Sequence, residues 1–311
     1  MSHDRPHPTP GGDQYLVSLV SLALAEDVGT GDETTRSAVA AGTMARAVIL
    51  AKAAGVISGL TAAKETTCQV DPEIIFECLR QDGEGVVSGD PVAILHGPAR
   101  SLLTTERVLL NFLQRLSGVA SLTRRFVEAV EGTGVAIADT RKTTPGLRFL
   151  EKAAVRHGGG VNHRFGLYDA CMIKDNHIVA AGGITAAVDR VRRGFQERGR
   201  ALPLTVEACT IVEAEEAARL GVDQILLDNM DPETITAAVA VIRRVEERFA
   251  RVDETLGIGQ APYGIRIEVS GGVTLETVRD RALPGVDWIS VGALTHSAPA
   301  LDISMEIELE P

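Results

Sequence analysis

Residues 204–229 read LTVEACTIVEAEEAARLGVDQILLDN. A short apolar run, LTVEA (204–208), gives way to a helical stretch, IVEAEEAARLG (211–221), and then to a second apolar run, QILLDN (224–229). Strand, helix, strand is the unit from which parallel sheets are built. Both apolar runs close on a polar group: Glu207 near the end of the first, Asp228 near the end of the second.

The unit recurs on either side. GVAIADT (134–140), ACMIKD (170–175), IRIEVSGG (265–272) and WISVGA (288–293) are further apolar strands, and ITAAVDRVRRGFQER (184–198) and ITAAVAVIRRVEERFA (235–250) are further helices. About six such units in roughly 170 residues predict a closed β/α barrel rather than an open sheet. Asp139, Lys174, Glu207, Asp228, Ser270 and Gly292 then fall at successive strand C-termini, which in a barrel converge on one functional face.

The chain before residue 130 is written differently. Residues 14–26 read as a helix with an apolar face, and ARAVILAKAAGVISG (45–59) and EIIFECLRQDGEGVVSGDPVAILHG (73–97) read as a small antiparallel sheet with Gly-Asp and Asp-Gly turns. A long helix is expected from Thr104. This divides the chain into a disordered lead (1–13), a first domain (14–115) rejoined by the C-terminal residues 296–311, and a barrel domain (116–295).

Composition limits the function. With 31 Lys and Arg against 42 Asp and Glu the net charge is −11, which argues against a nucleic-acid binder, since phosphate neutralisation needs a basic face. No uncharged run approaches the length of a membrane span, and the first 13 residues lack an apolar signal core, so a cytoplasmic protein is expected. Cys68, Cys78, Cys171 and Cys209 form neither a CxxC pair nor a zinc spacing and read as buried reduced thiols.

Against that acidic background, residues 139–177 hold seven Lys or Arg and four Asp or Glu. Arg148, Lys152 and Arg156 suit a solvated helix face. Arg141, Lys142, Arg164 and Lys174, together with His163, flank strands and loops instead and suit the binding of a small anion with more than one carboxylate, because a desolvated carboxylate needs paired cations. Glu207 and Asp228 are hard oxygen ligands suited to Mg²⁺ beside a phosphate. SGGV (270–273) and SVGALTHSAP (290–299) offer backbone amides for a phosphate, while GxxxxGK[ST] and a usable GxGxxG are both missing.

Together these features call for a phosphorylated sugar, a divalent cation and a carboxylated small molecule. DTRKTTPGLR (139–148), HGGGVNHRFGLYDACMIKDNHI (157–178), the strand ends VEA, LLDNM, EVSGGV and SVGALTHSAPALDISMEI, and the earlier LAEDVGTGDETT and TTERVLLNFLQRLSGVASLT resemble quinolinate phosphoribosyltransferase, also called nicotinate-nucleotide pyrophosphorylase (carboxylating). The resemblance runs from about residue 14 to the C-terminus. It implies an α/β fold, an N-terminal α/β sandwich beside an incomplete β/α barrel, with DISMEIELE (302–310) as a strand returning to the first domain. It implies conversion of quinolinate and phosphoribosyl pyrophosphate to nicotinate mononucleotide, pyrophosphate and CO2, with Mg²⁺, in a homodimer. Carried over position by position, Arg141, His163, Arg164 and Lys174, with Thr140 and the partner subunit's Arg107, would hold quinolinate. Lys142, Glu207 and Asp228 would be catalytic and would bind phosphoribosyl pyrophosphate. Glu207 and Asp228 would also bind the metal, and Ser270, Gly271, Gly272, Val291, Gly292 and Ala293 would seat the 5′-phosphate. LTVE carries Thr205 where the family often has a second acid.

Other readings are weaker. A phosphoribosyltransferase for nicotinate, or the molybdenum-associated paralogue of this fold, needs fewer cations. A lipoyl-type carrier, suggested by GEGVVSGDPVAILHG, would leave Lys52 without the tight exposed turn that modification requires. A barrel that binds without turnover would lack a strand-end residue, and none is missing.

Overall fold

The computed structural model describes residues 12–256 and 264–310; the lead before Gly12 lies outside them. In chain order the elements are α1 (Gly12–Val28), α2 (Glu33–Ala38), β1 (Met44–Ala51), β2 (Gly55–Val56), α3 (Leu60–Val70), β3 (Ile75–Cys78), β4 (Gly85–Val86), β5 (Pro91–Pro98) and α4 (Ala99–Ala129). There follow β6 (Ala136–Ala138), α5 (Arg148–His157), β7 (Cys171–Ile173), α6 (Asp175–Ala181), α7 (Ile184–Arg198), β8 (Leu204–Ala208), α8 (Ile211–Arg219) and β9 (Gln224–Asp228). The chain closes with α9 (Pro232–Leu256), β10 (Arg266–Ser270), α10 (Val278–Arg281), β11 (Trp288–Ser290), α11 (Ala293–His296) and β12 (Ile303–Leu309).

Two compact units form. One takes residues 1–125, 142–160 and 293–311; the other takes residues 126–141 and 161–292. The division passes through α4, and it returns α5 to the first unit. The long helix begins at Ala99, five residues before Thr104.

In the first unit, β12, β1, β5 and β3 make an antiparallel sheet in that order. Alternate residues of β1, Ala45, Ala47, Ile49 and Ala51, are fully buried, the period of a strand with one face on the core. Their core partners include Leu95, Leu102, Leu109 and Ile303. The expected return strand is thus β12, paired with β1 from Ala45 opposite Leu309 to Ala51 opposite Ile303. Within this unit α4 runs hard against the chain near Pro299: a Cβ on Gly118 would overlap the Pro299 carbonyl.

The second unit holds a six-stranded parallel sheet in the order β6-β11-β10-β9-β8-β7. β8 is buried along its whole length and β9 and β10 nearly so, as expected of parallel strands covered on both faces. Consecutive helices α6, α7, α8 and α9 pack on one another outside, and α8 starts on a reciprocal cap, Thr210 Oγ1 accepting from Glu213 N and Glu213 Oε2 from Thr210 N. The barrel is not closed, which corrects the reading from strand count: among the described residues β6 and β7 are the two edges of the sheet and do not pair with each other, and β6 carries one further isolated parallel bridge, between Ala138 and Val161. Three residues after that bridge, Arg164 Nη1 donates to Ala170 O beside β7. One short segment therefore reaches both edges, so the sheet is rolled into an incomplete barrel.

Candidate active site

Hydrogen-bonded partners on neighbouring parallel strands point to the same face, so register decides which residues share the barrel interior. Glu207 pairs with Leu226, Asp228 with Ser270, Glu268 with Trp288, and Ser290 with Ala138. At the C-terminal end this face presents Lys174, Glu207, Asp228 and Ser270 from four adjacent strands.

Lys174 Nζ and Glu207 Oε2 form an ion pair that joins β7 to β8, with Glu207 nearly buried and the lysine side chain about half exposed. Asp228 accepts from Asn229 Nδ2 at 2.7 Å. Asn229 has a positive φ of 55° and donates its backbone N–H to Ser270 O at 3.0 Å. Gly271, at φ 96°, lies so close that a Cβ would overlap the Asn229 side chain, and Arg281 Nη1 donates to Gly271 O at 2.6 Å. The expected phosphate turn is thus braced against the Asp228 loop. Gly271 is required there both by backbone angle and by space, and Gly272, at φ 57°, by backbone angle alone. The Cys209 thiol shows that the acids share one region: burial pushes it up, and the charges of Glu213, Asp228, Glu207 and Asp175 add to this.

The cationic half sits where β6 and β7 face each other. Asp139, fully buried, accepts from Asn162 Nδ2 at 2.6 Å and from His163 N at 2.9 Å, fixing the segment that bears His163 and Arg164. The Arg164 guanidinium donates to Ala170 O at 3.1 Å and lies 3.8 Å from Met172 Sδ. It also borders a cavity of about 340 Å³ between β7 and the helices α6 and α7, lined by Ile173, His177, Ala187 and Val191 among others. Burial lowers its pKa from the usual guanidinium range, the like charge of Arg141 lowers it further, and Asp169, Cys171 and Glu268 oppose. Two guanidiniums close enough to repel in a partly dry site are stabilised by an anion between them.

Of the expected site residues, the second unit brings together Thr140, Arg141, His163, Arg164, Lys174, Glu207, Asp228, Ser270, Gly271, Gly272, Val291 and Gly292. Arg107, Lys142 and Ala293 belong to the first unit. Arg107 is exposed on α4, 3.9 Å from Glu106; the Lys142 carbonyl accepts from Thr295 Oγ1 at 2.9 Å; Ala293 opens α11.

Two expectations are corrected. Lys152 is not on a solvated face: it is 2% exposed, next to Glu151, whose buried carboxylate is held by Arg115 at 2.8 Å. The amphipathic pattern of α5 could not show that its buried face carries charges. The cysteines are free, but Cys68, Cys78 and Cys209 are exposed rather than buried.

The sequence reading overlooked Glu268, fully buried in the middle of β10. It accepts from Gln224 Nε2 and Ser290 Oγ, and lies 3.1 Å from His163 Nε2. Arg266, two residues earlier, lies 4.2 Å over the Trp288 ring. The available signal was an acid inside the apolar run IRIEVS, where a covered strand ordinarily carries only apolar residues.

Comparison with known proteins gives one answer along the whole chain. Residues 32–117 match the N-terminal domain of quinolinate phosphoribosyl transferase and residues 119–306 its C-terminal domain. The chain is 42% identical over 294 residues, 94% of each chain, to a probable nicotinate-nucleotide pyrophosphorylase [carboxylating] of Bacillus subtilis. It is 40% identical to the chloroplastic nicotinate-nucleotide pyrophosphorylase [carboxylating] of Arabidopsis thaliana, covering 98% of this chain and 85% of that one. Among solved structures, NadC from Streptococcus pyogenes superposes with a TM-score of 0.85 at 39% identity, over 99% of this chain and 100% of that one.

Proposed function

The chain belongs to the quinolinate phosphoribosyltransferase family, and from that premise we propose how its residues carry out the family's reaction. It converts quinolinate and phosphoribosyl pyrophosphate to nicotinate mononucleotide, pyrophosphate and CO2, a step of de novo NAD biosynthesis. The observation that carries the reading of the site is the Lys174–Glu207 ion pair across the ends of β7 and β8, with the Arg164 guanidinium anchored on Ala170 O just before β7. Cations of this kind suit a dicarboxylate, and the acids suit the ribose hydroxyls and a divalent cation.

In this reading Arg141, Arg164 and Lys174, with Thr140, hold the two quinolinate carboxylates, and His163 lies beside them. Glu207 and Asp228 take the ribose hydroxyls, and the backbone amides of Gly271, Gly272, Val291 and Gly292, with Ser270, take the 5′-phosphate. Lys142 and Ala293, which follow Arg141 and Gly292 in the chain, are assigned to phosphoribosyl pyrophosphate. The C1–oxygen bond breaks with its electron pair leaving on pyrophosphate, and the pyridine nitrogen lone pair forms the new bond to C1. Then the bond to the 2-carboxylate breaks, its pair is taken up by the pyridinium ring, and a proton from solvent replaces CO2. The protein contributes position and fixed charge rather than a proton donor.

Glu207 and Asp228 also fit a Mg²⁺ ion. Among the described residues no three His, Cys, Asp or Glu side chains group as a metal cage, and Mg²⁺ commonly takes one or two carboxylates plus phosphate oxygens and water. Bound there, Mg²⁺ would supply charge neutralisation for the departing pyrophosphate. A cytoplasmic location fits the free cysteines, and no helix of the described residues is long and apolar enough to cross a membrane.

Calorimetry with single ring acids tests the dicarboxylate assignment. Quinolinate should bind about 100-fold more tightly than nicotinate, the worth of one further charge-assisted carboxylate contact; equal affinities would remove it. We further propose a homodimer in which Arg107 serves the partner subunit's site. Arg107→Ala and Lys174→Ala enzymes, each strongly impaired alone at a quinolinate concentration that suffices for the wild-type enzyme, should regain partial activity when mixed and allowed to exchange subunits. No recovery despite proven exchange would place Arg107 outside the partner's site.

A further inference from the structure

Between β6 and α5 the chain runs from residue 139 to residue 147 without helix or strand, and Lys142 lies exposed on that stretch. Packing does not direct the flexible stem of an exposed lysine, so the place of its ammonium depends on how firmly its backbone is held. Two sets of contacts hold it. Lys142 O accepts from Thr295 Oγ1 at 2.9 Å, and Thr295 is fully buried on α11. Two residues on, Thr144 gives its N–H at 2.9 Å and its hydroxyl at 2.7 Å to the carboxylate of Glu151, fully buried on α5. Between them, Arg148 Nε donates to Thr143 Oγ1 at 3.0 Å.

Arg115 of α4 joins the two sets. Its Nε and Nη2 donate to Glu151 Oε1 at 3.1 and 2.8 Å, its Nη1 to Ala298 O at 2.9 Å, and its Nη2 also to Thr295 O. A buried carboxylate is tolerated only with a paired cation and further donors, and Glu151 has both. The contacts close a ring: Lys142, Thr295, Arg115, Glu151, Thr144, and back along the chain to Lys142. One planar guanidinium thus fixes α5 and the end of α11 together, a geometry that a single ammonium does not reproduce. Ala293 opens α11, and the whole ring lies in the first compact unit.

We propose that Arg115 and Glu151 are positioning residues for phosphoribosyl pyrophosphate: they set the distance between Lys142 and Ala293, so that both meet one substrate molecule. The proposal rests on the reading of Lys142 and Ala293 as ligands of that substrate. Both Glu151 oxygens are engaged within the protein, and neither Arg115 nor Glu151 touches the substrate. Each acts through the backbone of the loop or of α11.

Glu151→Gln keeps the shape, but its NH2 must face a donor whichever way it turns, either Arg115 or the Thr144 N–H. Quinolinate is kept saturating, so that a shift passed along the chain to Arg141 does not enter the measurement. The expected result is kcat/KM for phosphoribosyl pyrophosphate lowered about 100-fold, the effect of a displacement of about 1 Å. Arg115→Lys should do the same although the charge is kept. Milder variants serve if these two fail to fold. Thr295→Val and Thr144→Val each remove one hydroxyl at constant shape and should cost about 10-fold, the scale of one buried hydrogen bond, whereas Thr295→Ser and Thr144→Ser keep the hydroxyl and should cost less than about threefold. The decisive comparison uses Lys142→Ala, which keeps the Lys142 carbonyl and removes its ammonium. In that enzyme Thr295→Val and Thr144→Val should each cost at most about threefold more, because residues that act through one group are not additive.

An unchanged kcat/KM in Thr295→Val, serine variants no better than the valine ones, or the same further loss with and without the Lys142 ammonium would each overturn the proposal. The last outcome would show that the ring only stabilises the fold, with the reading of Lys142 left intact. If Lys142→Ala by itself leaves kcat/KM for phosphoribosyl pyrophosphate unchanged, the reading of Lys142 fails and takes the proposal with it.

Discussion

Lys174→Ala is expected to raise the quinolinate dissociation constant about 100-fold and to leave that of nicotinate and of phosphoribosyl pyrophosphate within a few-fold. A hydrogen bond to a charged group contributes roughly 1.5–3 kcal/mol, and its removal leaves one carboxylate facing a site without its ammonium. The full effect is reduced because Lys174 is not idle in the free enzyme: its ion pair with Glu207 must be given up or shared when the substrate arrives. Arg141 and Arg164 remain and still hold one carboxylate. The variant should therefore treat quinolinate much as it treats nicotinate. Calorimetry with all three ligands decides this, and equal losses for quinolinate and phosphoribosyl pyrophosphate would contradict the placement of Lys174.

Glu207→Ala should do the opposite. Removing the carboxylate assigned to the ribose and its metal is expected to lower kcat/KM for phosphoribosyl pyrophosphate about 1,000-fold, corresponding to several kcal/mol of charge stabilisation. Quinolinate binding in the absence of the second substrate should stay the same or tighten, since Lys174 is released from its partner and is exposed enough to remain hydrated. The double variant gives the coupling between the two residues, which must be non-zero for side chains in direct contact. A Glu207→Ala enzyme that loses quinolinate affinity as Lys174→Ala does would merge the two subsites and sink the division of labour.

The parts of this structure legible in the sequence are those set by local pattern. The helix expected at 184–198 is α7 to the residue, LTVEA is β8, and the six strands are parallel, so their C-terminal ends share one edge of the sheet. Elements and contacts that depend on distant partners were not legible. α3 carries Thr61, Thr66 and Thr67 in LTAAKETTCQV, a weak helix former by propensity, and holds because Ala62, Ala63, Thr66 and Thr67 are buried. Strand count could not show that β6 and β7 would not pair with each other. Glu268 meets Gln224, Ser290 and His163 from 44, 22 and 105 positions away, and only strand register and the roll of the sheet bring them together. Arg107, an exposed helix residue, carries no local signal of a role; that assignment comes from the resemblance alone.

The most direct test of the central claim is product analysis of the purified enzyme with Mg²⁺, phosphoribosyl pyrophosphate and either quinolinate labelled in its 2-carboxylate or nicotinate. Nicotinate mononucleotide with an equimolar amount of labelled CO2, from quinolinate alone, is the expected result. Turnover of nicotinate only, or mononucleotide formed from quinolinate without CO2, would contradict the account and reopen the identity of the ring acid that these cations hold.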